Sequence, residues 1–352
     1  MQAADEAAAQ DALQEHGLTD GLPVVVPTPA RVEQLIQAGG LDAEFVLGEI
    51  GPRLGVATIE KVAINAVMAG CLPEHFPVVI AAVRAVTRPE FDLTELQATT
   101  HNVAPLIIVN GPARIDCGPI ASGVGALGAG FRANATIGRA LRLCLLNLGG
   151  ARPGVGDMAI MGQPGKFSYC LAEAEEHSPF PPLHTTRGCA AEDSAVTVVG
   201  AEAPHSVLVA IGTTHSDLPF ADRWLRTVSA ALASPASNNS QHEAGTVTVV
   251  LNPAHAQPMA EAGYTREQLQ AELFSRTWRT AEELAYYTGA TYPPGSRFNV
   301  VKEPADILLL VAGDSGNYTY LMPSAGPLGS HFNRPVTQRL VDQTCELPAP
   351  SV

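Results

Sequence analysis

The sequence APLIIVNGP at residues 104–112 is the key to the fold class, because it reads as a short buried strand that ends in a turn. A strong helical pattern follows at 133–150, where apolar residues recur at helical spacing before a Gly-Gly stop. Upstream, 57–70 and 73–86 read as two helices, and GLPVVVP at 21–27 reads as a further strand. Helices that alternate with strands in this way predict an α/β protein.

The second part of the chain repeats this order of strands and helices. The sequence IIVNGPA at 107–113 resembles VVLNPA at 249–254 if one deletion is allowed, and the loop GQPGKFSY at 162–169 resembles GDSGNYTY at 313–320. A strand and turn are predicted at 246–256. The other elements predicted there are strands at 194–200, 206–212 and 305–313 and helices at 220–234 and 265–279. We therefore predict two similar α/β halves that arose by internal duplication, with mixed sheets flanked by helices.

The predicted halves comprise residues 1–190, which include an N-terminal helix, and residues 191–345. Residues 346–352 are predicted to form a loose tail. A cleft between two related halves is a common position for a ligand pocket. We therefore expect the functional site between the halves.

Composition excludes several classes of function. The chain has 352 residues, 46% of them hydrophobic and 16% charged, and a formal net charge of -14. The high apolar content predicts that part of the surface is buried in a homo-oligomer. The acidic net charge, without any basic cluster, argues against nucleic acid as a partner. The sequence shows neither a secretory leader nor a membrane-length apolar run. We expect a cytoplasmic protein that does not bind membranes.

The six cysteines lie far apart and form no Cys-x-x-Cys pair, so a structural zinc site is not predicted. Cys71 directly follows the glycine that ends a predicted helix. It is a candidate nucleophile, and the alternative is an inert buried thiol. His177, His184 and Cys189 are spaced loosely in a Pro-rich loop and match no firm metal pattern. Neither a metal nor an organic cofactor is predicted.

The glycine-rich segment before the helix at 133–150 is the strongest candidate for ligand binding. It contains Gly-x-Gly-x-x-Gly, and glycines let backbone N–H groups approach a ligand at a helix N-terminus. A dinucleotide fold needs these glycines directly after a strand and an acidic residue about 20 positions later, and this segment meets neither condition. We expect Gly128, Arg132, Asn134 and Arg139 to bind a carboxylate or phosphate. The alternative is a loop that packs tightly on a strand.

The loop at 162–169 is the second candidate, since Lys166 stands where the other half carries Asn317. A charge on one side alone indicates a specialised residue, which could stabilise an oxyanion or, if desolvated, act as a base or nucleophile. The alternative is an exposed, solubilising lysine. Gly165 beside it, Asn317 and the strand-end Asn110 are predicted to contact the substrate.

Polar side chains in and near the first helices complete the candidate site. Lys61 and Asn65 are four positions apart on one helix face, beside Glu60. They either form a site at the helix N-terminus or reach solvent. His101 precedes a buried strand and His215 follows one, positions where α/β sites gather. The remaining histidines, His255 among them, show no signal beyond capping or surface roles.

Several stretches resemble an uncharacterised bacterial family of UGSC-type proteins, which are named for a Sec/Cys-Gly-Ser-Cys motif. The resembling stretches are residues 19–23, 60–71, 132–139, 252–256 and 313–317. The resemblance implies a single globular protein of two parts. This chain contains no Cys-Gly-Ser-Cys sequence. A thiol-redox role implied by the resemblance would therefore need a partner protein to supply the thiols.

Together these features predict a cofactor-independent enzyme, of the lyase or hydrolase type, that acts on a small carboxylate-bearing anion. Arg132 and Asn134 would hold the anion, and Lys166 would stabilise negative charge as it develops. Glu60 or His101 would move protons. Two alternatives stay open. One is a reductase or reductase subunit that works with a separate thiol or selenol protein, and the other is a non-catalytic small-molecule-binding subunit.

Overall fold

The computed structural model describes residues 3–212, 216–325, 327–328 and 331–340. His215 and the predicted tail at 346–352 lie outside the described residues. The helices are α1 (Glu6–Glu15), α2 (Pro29–Gly39), α3 (Ile59–Ala69), α4 (Phe76–Val86), α5 (Leu93–Ala98), α6 (Ala113–Asp116), α7 (Arg132–Asn147), α8 (Phe220–Leu232), α9 (Asn238–His242), α10 (Pro253–Glu261), α11 (Arg266–Arg276) and α12 (Ala281–Thr288).

Within the described ranges, the strands form two four-stranded sheets and three two-stranded ribbons. They are β1 (Val46–Ile50), β2 (Gly55–Thr58), β3 (Ala104–Asn110), β4 (Cys170–Ala172), β5 (Ala195–Ala201), β6 (His205–Leu208), β7 (Val247–Leu251), β8 (Arg279–Thr280), β9 (Arg297–Phe298), β10 (Ile307–Val311), β11 (Tyr318–Met322), β12 (Pro327–Leu328), β13 (His331–Phe332) and β14 (Val336–Arg339). Helices with both parallel and antiparallel pairing confirm the predicted α/β class with mixed sheets.

The two large sheets share one strand pattern. The first has the order β14-β5-β3-β4 and the second the order β10-β7-β11-β6. In each sheet the outer pair, β3–β4 or β7–β10, is parallel and the other two pairs are antiparallel. A shared pattern is what an internal duplication would produce, and the duplication itself stays a prediction.

The chain changes sheets at positions that the sequence did not indicate. β5 pairs with β3 in the first sheet, although the division between the halves was predicted at residue 190. The change to the second sheet falls between β5 and β6, and the chain returns to the first sheet at β14. The edge strand of the second sheet, β6, thus follows β5 of the first sheet along the chain. The edge strand of the first sheet, β14, follows β11 of the second sheet.

The two sheets pack face to face, with helices on their outer surfaces. Alternate side chains of β3, such as Leu106 and Ile108, enter a central cluster with Val250 and Leu310 of the second sheet. The opposite face of the first sheet is covered by α3, α4 and α7, and that of the second by α8, α10 and α11. This gives four layers, helix–sheet–sheet–helix. Burial on both faces explains why the strands read as continuous apolar runs.

Local signals explain most of the element ends. The Thr265 hydroxyl accepts a hydrogen bond from the Gln268 backbone N–H and begins α11, as predicted. Gly70 ends α3 with φ +89°. The strand predicted at 21–27 does not form, because its prolines cannot donate to a strand ladder. In the described part of the chain, no helix has the length and apolarity to cross a membrane.

Candidate functional site

A cavity of about 210 Å³ lies between the two sheets, and we call it the inter-sheet cavity. The glycine loop, defined as residues 122–130, lines one side together with Leu171 of β4. Val250, Ala312, Tyr320 and Met322 of the second sheet line the other side. Leu171, Val250 and Met322 belong to the central cluster, so the cavity continues the packed interface between the sheets.

The glycine loop is tied down at its base by Asn134, which lies on α7 and is only 3% exposed. The Asn134 amide nitrogen donates to the carbonyl oxygens of Ala121 at 2.9 Å, Ala126 at 3.1 Å and Cys170 at 3.2 Å. Its amide oxygen accepts from the Ala121 N–H at 2.8 Å. Asn134 therefore fixes the loop against β4. Its side-chain amide, which was expected to bind an anion, is hydrogen-bonded to the backbone of the protein.

The two ends of the glycine loop are loosely packed. A methyl group built on Gly123 or Gly130 would meet no atom within 4 Å, and Val124 on the loop is 71% exposed. Gly128 lines the cavity, and its N–H donates to the Gly125 carbonyl at 2.6 Å. Ala126 between these ends is 7% exposed and belongs to the central cluster that includes Leu171 of β4, so the alternative of close packing on a strand holds at this residue. The loop also forms one wall of the cavity.

The two arginines predicted to bind an anion are engaged elsewhere. Arg139 forms a two-point ion pair with Asp20, with both N–O distances 2.8 Å. Arg132 donates to the Gly70 carbonyl at 3.1 and 3.3 Å, at the C-terminus of α3. Neither arginine lines the inter-sheet cavity. Both join separate segments of the first half.

The polar residues predicted on α3 do not converge on the cavity either. Glu60 and Lys61 are exposed on its first turn, and the Lys61 ammonium donates to the Val56 carbonyl at 3.2 Å. Asn65 is buried, and its amide oxygen accepts from the Asn147 side chain at 2.7 Å. Asn65 thus joins α3 to α7.

Cys71 has the geometry of an inert thiol. Its Sγ–H donates to the Thr136 carbonyl at 3.3 Å, and burial raises its pKa to about 12. Burial also raises the pKa of the Cys117 thiol, to about 11. Thiols with such pKa values stay protonated at neutral pH and are poor nucleophiles. Cys71 and Cys117 are therefore poorly suited to serve as the thiols of a reductase.

Lys166 belongs to a largely buried group of polar side chains that we call the lysine cluster, formed by the charged Lys166, Asp157 and Arg142 and the neutral Gln97. The Lys166 ammonium lies 2.9 Å from each Asp157 oxygen, and Arg142 Nη2 lies 3.0 Å from Asp157 Oδ2. Burial lowers the pKa of Lys166, while its hydrogen bonds to Asp157 oppose the shift. Lys166 is thus not the exposed, solubilising lysine that was the alternative.

Gln97 makes the lysine cluster unusual. Its side chain is 1% exposed, and neither its amide oxygen nor its amide nitrogen has a partner among the described residues. With Lys166, Arg142 and Gly165 it lines a void of about 10 Å³. A void of this volume is the size of one water molecule.

His101 lies beside the same loop as the lysine cluster. Its Nε2 is 3.1 Å from a Glu202 oxygen. The adjacent Thr100 carbonyl accepts from the Ile160 N–H at 3.1 Å, and the Gln97 carbonyl accepts from the Met158 N–H at 3.2 Å. His101 and Lys166 therefore both lie in or next to the segment at 157–166, whereas the predicted catalytic residues Glu60, Lys61 and Cys71 lie on or just after α3.

The predicted equivalence of Lys166 and Asn317 is wrong. The loop at 162–169 precedes β4, whereas the loop with Asn317 follows β10, so the two loops lie at opposite ends of corresponding parallel strands. The exposed Asn317 side chain accepts from the Ile211 N–H at 3.1 Å. The presence of a charge at Lys166 and not at Asn317 is therefore no sign that Lys166 has a specialised function.

Sequence reasoning missed a second buried charge cluster at the carboxyl ends of β3 and β4. Asn110 was predicted there, and its amide nitrogen donates to Glu173 at 2.6 Å and to Glu175 at 2.9 Å. Arg266 from α11 pairs with Glu173 at 3.1 Å, and both side chains are at most 2% exposed. The position of Glu173, directly after a short apolar run, was the signal that could have found it.

No group of three or more His, Cys, Asp or Glu side chains is arranged to hold a metal ion within the described ranges. Comparison of the chain with models of protein families, with curated proteins and with solved structures finds no match. The function must therefore be inferred from the geometry of the chain's own residues.

Proposed function

We propose that the protein binds a small molecule in the inter-sheet cavity and that the glycine loop moves aside to admit it. The cavity itself is the observation that supports this proposal. Its volume of about 210 Å³ exceeds the roughly 150 Å³ at which an apolar protein cavity takes up benzene. Its position between the two halves matches the common placement of ligand pockets.

Binding without turnover fits this cavity better than catalysis does. Acid–base catalysis needs side chains that exchange protons with the substrate. Among the described residues that line the cavity, Tyr320 alone has a side chain with an exchangeable proton on oxygen or nitrogen. The non-catalytic binding subunit is therefore the function that the geometry supports best.

A substitution that fills the cavity tests the proposal. Ala312 is 3% exposed and lines the cavity, so Ala312→Leu should occupy part of the volume. Ala129 is exposed on the glycine loop and does not line the cavity, which makes Ala129→Leu the matched control. We expect ligands found by native mass spectrometry or by ligand-observed NMR to bind Ala312→Leu at least tenfold more weakly, and the control unchanged. Ligands that bind both variants equally would contradict the proposal.

An acid–base enzyme on a small carboxylate is the second candidate, and the lysine cluster is the observation that favours it. A desolvated amine, a second cation and an unpaired Gln97 amide share one void there. Because the void is water-sized, the loop at 157–166 would have to move to admit a substrate. Loss of ester or carboxylate-lyase turnover in Lys166→Met, but not in the exposed control Arg226→Met, would support this function. Equal turnover in both variants would end it.

The predicted homo-oligomer and the cytoplasmic location stay predictions. Size-exclusion chromatography with light scattering measures the first, and a mass equal to one chain of 36.8 kDa would contradict it.

A further inference from the structure

We infer that the ligand of the inter-sheet cavity is uncharged, with an apolar body and a single hydrogen-bonding group. This inference rests on the proposed function and concerns the same cavity. It departs from the carboxylate-bearing anion that the sequence predicted, because the cations on which that prediction relied lie elsewhere.

The described walls of the cavity offer no counter-ion. Within the part of the chain that the structure describes, none of the lining residues is Asp, Glu, Lys, Arg or His. Leu171, Val250 and Met322, which line it, are at most 4% exposed and belong to the cluster between the two sheets. A charge that leaves water for such surroundings without a partner is strongly disfavoured.

The nearby cations of the first half cannot turn to the cavity without breaking existing contacts. Arg132 binds the Gly70 carbonyl, and Arg139 is paired with Asp20. Lys166 and Arg142 are both paired with Asp157. An anionic ligand would therefore have to break one of these contacts to pair with any of these four cationic side chains.

The rest of the lining defines the ligand by its shape and its one polar group. Leu171, Val250, Ala312 and Met322 present aliphatic and thioether surface, which suits a single ring or a short branched chain. Half-buried Tyr320 is one of the lining residues, and its hydroxyl is a group that can donate or accept one hydrogen bond. An aromatic or aliphatic alcohol, aldehyde or ketone has this combination of groups.

Three probes of nearly equal size separate charge from shape: benzyl alcohol, benzoate and benzylamine. Their dissociation constants would be measured by ligand-observed NMR at pH 7.5 and about 0.2 M salt, which screens the net charge of the protein. We expect benzyl alcohol to bind at least tenfold more tightly than either charged probe. Tyr320→Phe should weaken benzyl alcohol by about three- to tenfold, the effect of one hydrogen bond.

Two cavity-filling variants distinguish failure of the inference about charge from failure of the proposed binding function. Ala312→Leu fills the cavity from the second sheet and Ala126→Leu fills it from the glycine loop, so one can replace the other if it fails to fold. If benzoate or benzylamine binds as tightly as benzyl alcohol and is lost in these variants, the inference about charge is wrong and the binding proposal stands. If no probe binds, or if filling has no effect, the proposed function itself fails. An unchanged affinity in Tyr320→Phe would overturn the role of that hydroxyl.

Discussion

His255 shows, at the scale of a residue, how this fold satisfies buried polar groups from distant parts of the chain. The side chain is fully buried, and its Nε2 lies 2.9 Å from the Val209 carbonyl. Its Nδ1 lies 2.9 Å from the Thr319 hydroxyl, which also accepts from the Trp224 indole N–H at 2.8 Å. These contacts fit a neutral ring that donates from Nε2 and accepts at Nδ1.

His255 should make the stability of the protein depend on pH below about 6.5. Burial lowers its pKa to about 4, against about 6.5 for an unfolded chain. As the pH falls through this range, the unfolded chain takes up a proton that the folded protein excludes, so stability is lost towards pH 4. The loss should be on the order of 3 kcal/mol. Urea unfolding at pH 7, 5.5 and 4 should show a flatter dependence for His255→Gln than for the wild type. Parallel curves would contradict this assignment.

Residue pairs of this kind could not be predicted from the sequence. The partners of His255 lie 46 and 64 positions away, and the carboxylate that pairs with Arg139 lies 119 positions away. A sequence identifies a polar residue in an apolar run, but its partner depends on how separate segments pack. The anion site was predicted from Arg132, Asn134 and Arg139, whose side chains can donate hydrogen bonds to an anion. In the structure these side chains bind other parts of the protein.

At the scale of elements, local signals predicted most of what is observed. The strand at 104–112 and the helix at 133–150 form because apolar spacing and stop signals act within one element. The position of the glycine loop before α7 was predicted for the same reason. Its function as a wall of the inter-sheet cavity was not, because that depends on how the second sheet packs against the first.

Asn134 should control the order of the glycine loop. Asn134→Ala leaves the carbonyls of Ala121, Ala126 and Cys170 without their shared donor, which should destabilise the protein by about 1–3 kcal/mol. Hydrogen exchange in residues 121–131 should become faster, while exchange in the second sheet stays unchanged. Asn65→Ala is the matched control, because it removes another buried amide that does not touch the loop. Equal exchange of the loop in the two variants would show that Asn134 does not hold it.

At the scale of the whole molecule, the features that join the two halves include three that involve large parts of the fold or buried charge. Their sheets pack face to face, their edge strands β6 and β14 are exchanged, and a buried ion pair links Glu173 to Arg266. The exchange of edge strands fits an internal duplication in which each copy came to complete its neighbour's sheet. The exchange could not be predicted from sequence periodicity. The pattern of β5, β6 or β14 indicates a strand but does not indicate the sheet to which that strand belongs.

The pair between Glu173 and Arg266 should contribute more to the joining of the halves than any exposed ion pair. Loss of one partner leaves the other charge buried, so Glu173→Gln and Arg266→Met should each destabilise the protein by roughly 3–5 kcal/mol. The double variant removes both charges and should be less destabilised than the sum of the two, by about 1–3 kcal/mol. Chemical unfolding of the four proteins measures this coupling. The exposed pair Glu272 and Arg276 within α11 is the control, where about 0.3–0.5 kcal/mol is expected. A coupling between Glu173 and Arg266 no larger than this control would mean that sheet packing and strand exchange join the halves without help from the buried charges.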